Sequence, residues 1–368
     1  MLLKLVSNLP PRDFQIQVIS VSGDGPLGSA FRATGVRLDC IESMFALYDP
    51  VRLVKVARVL QLFRPDLVQG WMYHGNTAAS LACFWGRIRV PVLWNVRGSN
   101  AVSDNATLLG RLNYRLSTFL ASGVAWIVNN SLVSAQQHEK KLRYPQLKRV
   151  IVPNGFDLQK FRPDAVARQL TRLQMAIPRD SIVIGYVGRD HADKDVPNFV
   201  CAARSIVETH GIQRDVFFVL AGQGLIHGCH FWRDLDEPCR QQFRFIGLCS
   251  EVSGLLPAFD VLVLSSRREN FPNVLGEAMC CGVVVVTTEV GECAALVGSA
   301  ALVVRPESPA ALRTAILRII HMTEAERQEL GLRLRSRAAA VYSLDKIVDQ
   351  YVKLYEQTSS RALPICVE

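Results

Sequence analysis

The stretch Asp260-Val-Leu-Val-Leu-Ser-Ser-Arg-Arg-Glu269-Asn-Phe-Pro-Asn-Val-Leu-Gly-Glu277-Ala-Met279 reads as a buried strand, a polar loop and an apolar helix in direct succession. Four consecutive branched apolar residues suit a strand buried on both faces, and the helical spacing resumes near Asn273. Such a strand-loop-helix passage places the loop at the carboxyl end of a parallel strand. In an open α/β sheet, ligands lie at that end, and a helix amino terminus there offers unpaired N–H groups to an anion. Glu269 falls in the loop and Glu277 about two turns away in the helix. Carboxylates repel phosphate but accept hydrogen bonds from hydroxyls, so the pair suits a ligand carrying both sugar rings and phosphates.

Outward from this stretch the same pattern repeats. Apolar runs rich in Val and Ile occur at Phe14–Val21, Leu67–Trp71, Val90–Val96 and Ala125–Val128, then at Ile182–Val187, Val216–Ala221, Phe243–Ile246, Val283–Thr287 and Ala301–Val304. Helical patterns separate them, which marks βα units and parallel sheets, an α/β fold. With 368 residues the chain fits two domains of ordinary size. The turn Phe161-Arg-Pro-Asp-Ala165 divides them, giving 1–162 and 163–342, a helix at 343–357 that returns to the first domain, and a tail at 358–368. The opening Met1-Leu-Leu-Lys-Leu-Val-Ser-Asn reads as the end of a helix, not as the first strand that a doubly wound domain begins with. An upstream strand and turn are therefore expected to be missing; the alternative is a sheet of different order.

Composition excludes several classes. At 49% hydrophobic and 20% charged residues this is a globular protein, and no apolar run reaches the length of a membrane span. No signal sequence is visible, so a cytoplasmic location is expected. The ten cysteines sit mostly in apolar settings without metal or redox spacing and read as reduced core thiols; His227, Cys229, His230 and Cys239 match no zinc pattern. Residues 1–160 hold 19 Lys and Arg against 9 Asp and Glu, whereas 161–368 hold 23 against 24. The basic excess, including Arg52, Lys55 and Arg58 and the cluster Lys140, Lys141, Arg143, Lys148 and Arg149, suits an anionic membrane surface. Nucleic acid is not expected, because no aromatics interleave with these cations.

The motifs Val152-Pro-Asn-Gly-Phe-Asp157, Gly185-Tyr-Val-Gly-Arg189 with Lys194, Phe218-Val-Leu-Ala-Gly-Gln-Gly224 and the Glu269/Glu277 pair resemble glycosyltransferase family 4, in that family's order. The resemblance implies the GT-B fold, with two facing Rossmann-like domains and a cleft between them. It implies a nucleotide-sugar donor (a UDP-, GDP- or ADP-sugar), a lipid-linked or saccharide acceptor in bacterial envelope synthesis, and transfer with retention. No cofactor and no metal are expected. The sequence departs from the family in lacking the glycine-rich loop after the first strand and in reading Gly188-Arg189-Asp190-His-Ala-Asp-Lys194-Asp195 where Gly-Arg-Leu and Lys-Gly are usual.

On this reading Gly188, Arg189 and Lys194 follow a strand and face the donor diphosphate. Glu269 meets the donor sugar, the N–H groups from Asn270 through Phe271 and Asn273 to Val274 lie near the phosphates, and Glu277 accepts from the ribose. Asn273 serves equally as a helix N-cap. His74, after Leu67–Trp71, is a candidate near the reacting carbon or a structural imidazole. Arg97 is expected to bind an acidic acceptor group or a donor phosphate. Asp234-Leu-Asp236 has metal-pair spacing but sits in a polar helical stretch, and Gly222-Gln-Gly224 is an incomplete dinucleotide fingerprint. The readings left open beside the transferase are a truncated, inactive nucleotide-binding remnant and a sugar phosphorylase or nucleotide-sugar epimerase on the same fold.

Overall fold

The computed structural model describes residues 1–21, 23–41, 50–98, 108–208, 215–298 and 303–361. They form two compact units, one of residues 1–155 with the segment from Leu344 onward and one of Phe156–Ser343. The first division falls ahead of the expected turn at Phe161–Ala165. Phe156 instead belongs to the second unit, where its N–H donates to Tyr342 O at 2.8 Å and its ring stacks on Phe271.

The second unit is one six-stranded parallel sheet. Its strands are β7 (Ile182–Val187), β8 (Val216–Ala221), β9 (Phe243–Gly247), β10 (Val261–Leu264), β11 (Val284–Thr288) and β12 (Val303–Val304), in the order β12-β11-β10-β7-β8-β9. The first strand in sequence thus lies between the second and the fourth, the doubly wound order. β8, β10 and β11 are buried throughout, as strands covered by helices on both faces must be. Close packing is bought at two glycines: a Cβ on Gly185 would lie 2.1 Å from the Phe259 ring, and one on Gly276 would lie 2.0 Å from the Phe156 ring. Asp260, just before β10, accepts from Arg168 at 2.6 Å, Arg172 at 2.7 Å and the Val183 N–H at 2.7 Å, tying β10 to β7 and to the helix Ala165–Gln174.

Among its described residues the first unit holds six strands in two sheets. β1 (Gln17–Ser20) pairs with β2 (Arg37–Cys40), while β3 (Val68–Trp71), β4 (Val92–Val96), β5 (Trp126–Asn129) and β6 (Arg149–Ile151) run in order β3-β4-β5-β6; all pairs are parallel. β2 and β6 have no counterpart among the expected strands. Arg37-Leu-Asp-Cys40 is a polar edge strand and β6 has three residues, so neither carries an apolar run. The opening residues form the expected helix, Leu2–Val6. The last helix, Leu344–Arg361, buries Ile347, Val348, Tyr351 and Tyr355 in the first unit's core beside Leu93 and Val128. Among the described residues no helix is long and apolar enough to cross a membrane.

Candidate functional site

The carboxyl ends of β7, β8, β10 and β11 carry four loops that are bound to one another mainly through backbone groups. Gly188 N donates to Ala221 O at 2.9 Å, and Asp190 N to Gln223 O at 2.9 Å. Gly222, at φ +148°, comes so close that a Cβ there would lie 1.8 Å from Gly188 O. Only glycine fits that approach. On the other side Arg267 N and Arg268 N both donate to Asp193 O, at 2.8 and 3.2 Å, and Arg268 Nε meets Asp193 Oδ1 at 2.6 Å. Ser265 Oγ donates to Asp195 O at 2.9 Å and Thr288 Oγ1 to Ser266 O at 2.6 Å. Gly291 closes the arrangement, since a Cβ there would lie 2.3 Å from Glu269 O.

Within this frame Lys194 and Glu269 form an ion pair through Nζ and Oε1, and Ser266 Oγ donates to the same oxygen at 2.7 Å. The Glu269 side chain is 9% exposed and that of Lys194 24%. The two were expected on different parts of a ligand, the ammonium on phosphate and the carboxylate on a sugar. They are instead partners, because a carboxylate with so little access to water needs a nearby cation. Glu269 Oε2 has no hydrogen bond to the described residues. Arg189 is exposed at the end of β7 and, among the described residues, has no ion pair or hydrogen bond. A fork of N–H donors beside the Lys194–Glu269 pair suits an incoming anion.

The helix Asn273–Cys280 begins at this loop, with Pro272 at the N-cap position and no side-chain cap bond. The N-cap role offered for Asn273 is therefore not adopted, and its side chain is exposed. Asn273 and Glu277 stand four residues apart and share one face of the helix, with Glu277 half-buried. Asn270 and Val274 are half-buried. Phe271 turns its ring inward, stacked on Phe156 with centroids 6.1 Å apart and edge-on to Tyr342 at 5.9 Å, so only its main chain is at the loop. Gly188 stands at the turn out of β7, half-buried, with the Tyr186 hydroxyl close to where a side chain would begin.

Asp195 accounts for one departure from the family pattern. It adopts the left-handed conformation, φ 47° and ψ 53°, which glycine takes at no steric cost. Aspartate is among the few other residues that tolerate it. Here its buried carboxylate lies 3.1 Å from Arg267 Nε, an ion pair that a glycine at this position would forgo.

His74 and Arg97 belong to the first unit. His74 lies in the first turn of the helix Met72–Trp85, exposed, with Nδ1 3.5 Å from the Asn113 amide. Arg97 is half-buried and committed within the unit: Nε donates to Asn95 at 2.7 Å, Nη1 to Asn154 at 2.7 Å and to Val152 O at 3.1 Å, and Nη2 to the Tyr351 hydroxyl. Burial lowers its pKa from the ordinary arginine value, while Tyr351 opposes the shift. These bonds clamp β4 and the segment after β6 to the last helix.

Of Asp234 and Asp236, the second caps the helix Glu237–Gln242, accepting from the Cys239 N–H at 3.2 Å. Among the described residues no group of three or more His, Cys, Asp or Glu could hold a metal. The buried Cys239 thiol is pushed up to about 12, first by burial and then by Asp236, as an unreactive core thiol would be. Sequence reasoning passed over Ser265, Ser266, Thr288 and Gly291. The first two carried a usable signal, as two hydroxyls directly after a four-residue apolar strand must find partners once buried.

Two family descriptions match the chain in succession, "Glycosyltransferase Family 4" over residues 1–160 and "Glycosyl transferases group 1" over 181–322. Among curated proteins, the Escherichia coli UDP-Gal:alpha-D-GlcNAc-diphosphoundecaprenol alpha-1,3-galactosyltransferase is 28% identical over 151 residues, 41% of this chain and 39% of that protein. The D-inositol 3-phosphate glycosyltransferase of Corynebacterium urealyticum is 27% identical over 232 residues, 59% of this chain and 52% of the other. The chain thus spans about half or less of the curated relatives it matches. Among solved structures, Anabaena Alr3699/HepE in complex with UDP superposes with a TM-score of 0.80 at 17% identity, covering 97% of this chain and 95% of that one. The fold is that of the GT-B glycosyltransferases, with two Rossmann-like units. From strand order to family match, these observations make the chain a member of the glycosyltransferases of the family 4 type.

Proposed function

We propose that this protein transfers a sugar from a nucleoside diphosphate sugar to a hydroxyl acceptor with retention of configuration and without a metal. The observation that carries this reading is the exposed, unpartnered Arg189 at the end of β7 beside the Lys194–Glu269 pair at the end of β10. Arg189 takes a diphosphate oxygen, and Lys194 shares its charge between Glu269 and the phosphate. Glu269 Oε2 and Glu277 accept from the hydroxyls of the sugar and the ribose. Asn270, Asn273 and Val274 present the amino end of their helix to the phosphates. His74 orients the acceptor hydroxyl. The acceptor oxygen bonds to the anomeric carbon as that carbon's bond to the diphosphate oxygen breaks, on the same face. The acceptor proton passes to the departing diphosphate, whose growing charge the two cations offset.

Uridine is favoured as the base because Alr3699/HepE was solved with UDP and the galactosyltransferase uses UDP-Gal. The test is a panel of UDP-, GDP- and ADP-sugars scored for thermal stabilisation and for nucleotide release with a polyprenyl diphosphate-linked saccharide. A UDP-sugar is expected to raise the melting temperature and to turn over. Stabilisation without turnover would favour a nucleotide-binding remnant, phosphate-dependent turnover a phosphorylase, and a glycosyl adduct on a side chain would exclude same-face attack.

The acceptor is placed at an anionic membrane, with the protein peripheral on the cytoplasmic side. In the first unit Phe84 is 76% and Phe119 80% exposed, on two helices that pack together and carry exposed Arg87, Arg89, Arg111 and Arg115 nearby in sequence. Lys55, Arg58, Lys140, Lys141 and Arg143 are also exposed, whereas Lys148 and Arg149 are used internally, on Val124 O and Glu139. Flotation with vesicles containing anionic phospholipid should recover the protein at low salt and lose it as salt screens the charge. Equal recovery on neutral vesicles would remove the electrostatic argument.

A further inference from the structure

The helix Met72–Trp85, which carries His74 in its first turn, leaves β3 through a strained residue. Met72 has φ +60°, in the left-handed region that a bulky side chain enters only at a steric cost. Strain of this kind persists where the surroundings over-determine it. Here they do so through the next residue, Tyr73.

Tyr73 is held by the helix Leu132–Leu142. Its hydroxyl lies 2.7 Å from His138 Nε2, and its ring stacks on that imidazole with centroids 5.7 Å apart, while Tyr114 meets it edge-on at 5.1 Å. His138 is 1% exposed, with Nδ1 2.6 Å from Ser134 O. A carbonyl only accepts, so Nδ1 carries the hydrogen and Nε2 keeps a lone pair. Tyr73 is therefore the donor of the second bond, and burial raises its pKa, which keeps the hydroxyl protonated. The same helix also holds the turn after β4, because Ser134 Oγ donates to Gly98 O at 2.8 Å. That turn meets the strained one: a Cβ on Gly98 would lie 3.5 Å from Met72 Cε.

Burial lowers the His138 pKa from its ordinary 6.5, the bond to Ser134 O opposes this, and Lys141 on the same helix lowers it further. Tyr73 and Tyr144 face the ring from outside the helix, Tyr144 with centroids 5.7 Å away. Glu139 and Arg149 line the same small cavity but bond to each other at 3.1 Å. Among the described residues no carboxylate pairs with His138. The surroundings thus favour the neutral ring, which is the form that can accept from Tyr73.

We propose that His138 is a positioning residue, which through the Tyr73 hydroxyl holds the strained turn at Met72 and so fixes where the His74 imidazole stands. This rests on the part proposed above for His74 at the acceptor. Tyr73 and His74 are consecutive, so a turn that relaxed at Met72 would move both. A displacement of about 1 Å at a reacting group can cost on the order of 100-fold in rate. The other support of His74 is a long one, with Nδ1 3.5 Å from the Asn113 amide.

The test joins kinetics to imidazole spectra. Tyr73→Phe and His138→Leu should each lower kcat by about 10- to 100-fold. UDP affinity should stay at the parent value, because Arg189, Lys194 and Glu269 belong to the other unit. His138→Gln, whose side-chain oxygen can accept from the hydroxyl in place of Nε2, should recover most of the loss. In a His74→Ala chain, Tyr73→Phe should cost nothing further, since its effect passes through the imidazole. Spectra of protein labelled with nitrogen-15 histidine need no donor. The signal lost in His138→Gln should show the Nδ1–H tautomer, neutral at pH 6.5, and the His74 signal should shift or broaden in Tyr73→Phe. A His138 ring in the Nε2–H form, an unchanged His74 signal in Tyr73→Phe, or an equal loss of kcat from Tyr73→Phe with and without His74 would each overturn the inference. A parent chain with the expected spectra and no turnover would sink the proposed activity and leave the placement of His74 standing.

Discussion

Replacing Lys194 by alanine is expected to lower kcat/KM for the sugar donor by about 100- to 1,000-fold, the usual range for losing one preorganised donor to developing charge. The substitution does two things. It removes a cation from the departing diphosphate, and it strands Glu269, which is only 9% exposed, without its partner. Arg189→Ala should cost about 10- to 100-fold in UDP affinity, since an exposed guanidinium contributes one charge-assisted interaction and leaves nothing unpaired behind it. The two positions also differ in kind: the loss of thermal stability in Lys194→Ala, which leaves Glu269 without its partner, should be relieved by Glu269→Gln in the same chain while the loss of turnover stays, whereas Arg189→Ala should show no such stability loss. Steady-state kinetics and thermal melts on these variants, with UDP affinity by calorimetry, would check this. Values for Lys194→Ala and Arg189→Ala within about threefold of the parent would sink the site.

The second large effect concerns stability. Arg172 is 4% exposed at its side chain and donates to Ala258 O, Arg179 O, Ser181 O and Asp260. Burial lowers its pKa from the ordinary arginine value, opposed by the charge of Asp260. Arg172→Ala removes the guanidinium from three carbonyls and leaves the Asp260 carboxylate with only the Val183 N–H and the more exposed Arg168, and should destabilise the second unit by about 3–5 kcal/mol. In a unit of this size that is a fall in Tm of roughly 10 °C. Arg168→Ala, at a side chain 35% exposed, should cost about 1 kcal/mol. Calorimetry on both would decide, and equal losses would contradict the ordering.

The second unit was legible because its strands are buried on both faces. Runs such as Ile182–Val187 and Val261–Leu264 then show as unbroken apolar stretches that cannot be confused with turns. The first unit was less so: β2 and β6 are short, polar-flanked edge strands whose pairing depends on neighbours far along the chain. At the candidate site, residue types and topology placed Arg189, Lys194, Glu269 and the helix at Asn273 in one set of loops. What the sequence hid was pairing. Nothing in the spacing of Lys194 and Glu269, or of Asp193 and Arg268, says that they meet, because such contacts arise from loops packed side by side. Nor did the sequence show that Arg97, a cation after a strand, bonds within its own unit to Asn95, Asn154, Val152 O and Tyr351.

The position of Lys194 is governed by peptide groups: Tyr186 and Ser265 donate to Lys194 O, Arg267 N and Arg268 N to Asp193 O, and Asp190 N to Gln223 O. Side-chain identity at the exposed Ala192 has little share in that scaffolding, whereas His191 Nδ1 accepts from Asp193 N at 3.2 Å and caps the turn that carries Lys194. Position 192 is thus free to drift among descendants of this protein without moving the ammonium, and a library randomised there alone should leave most members folded.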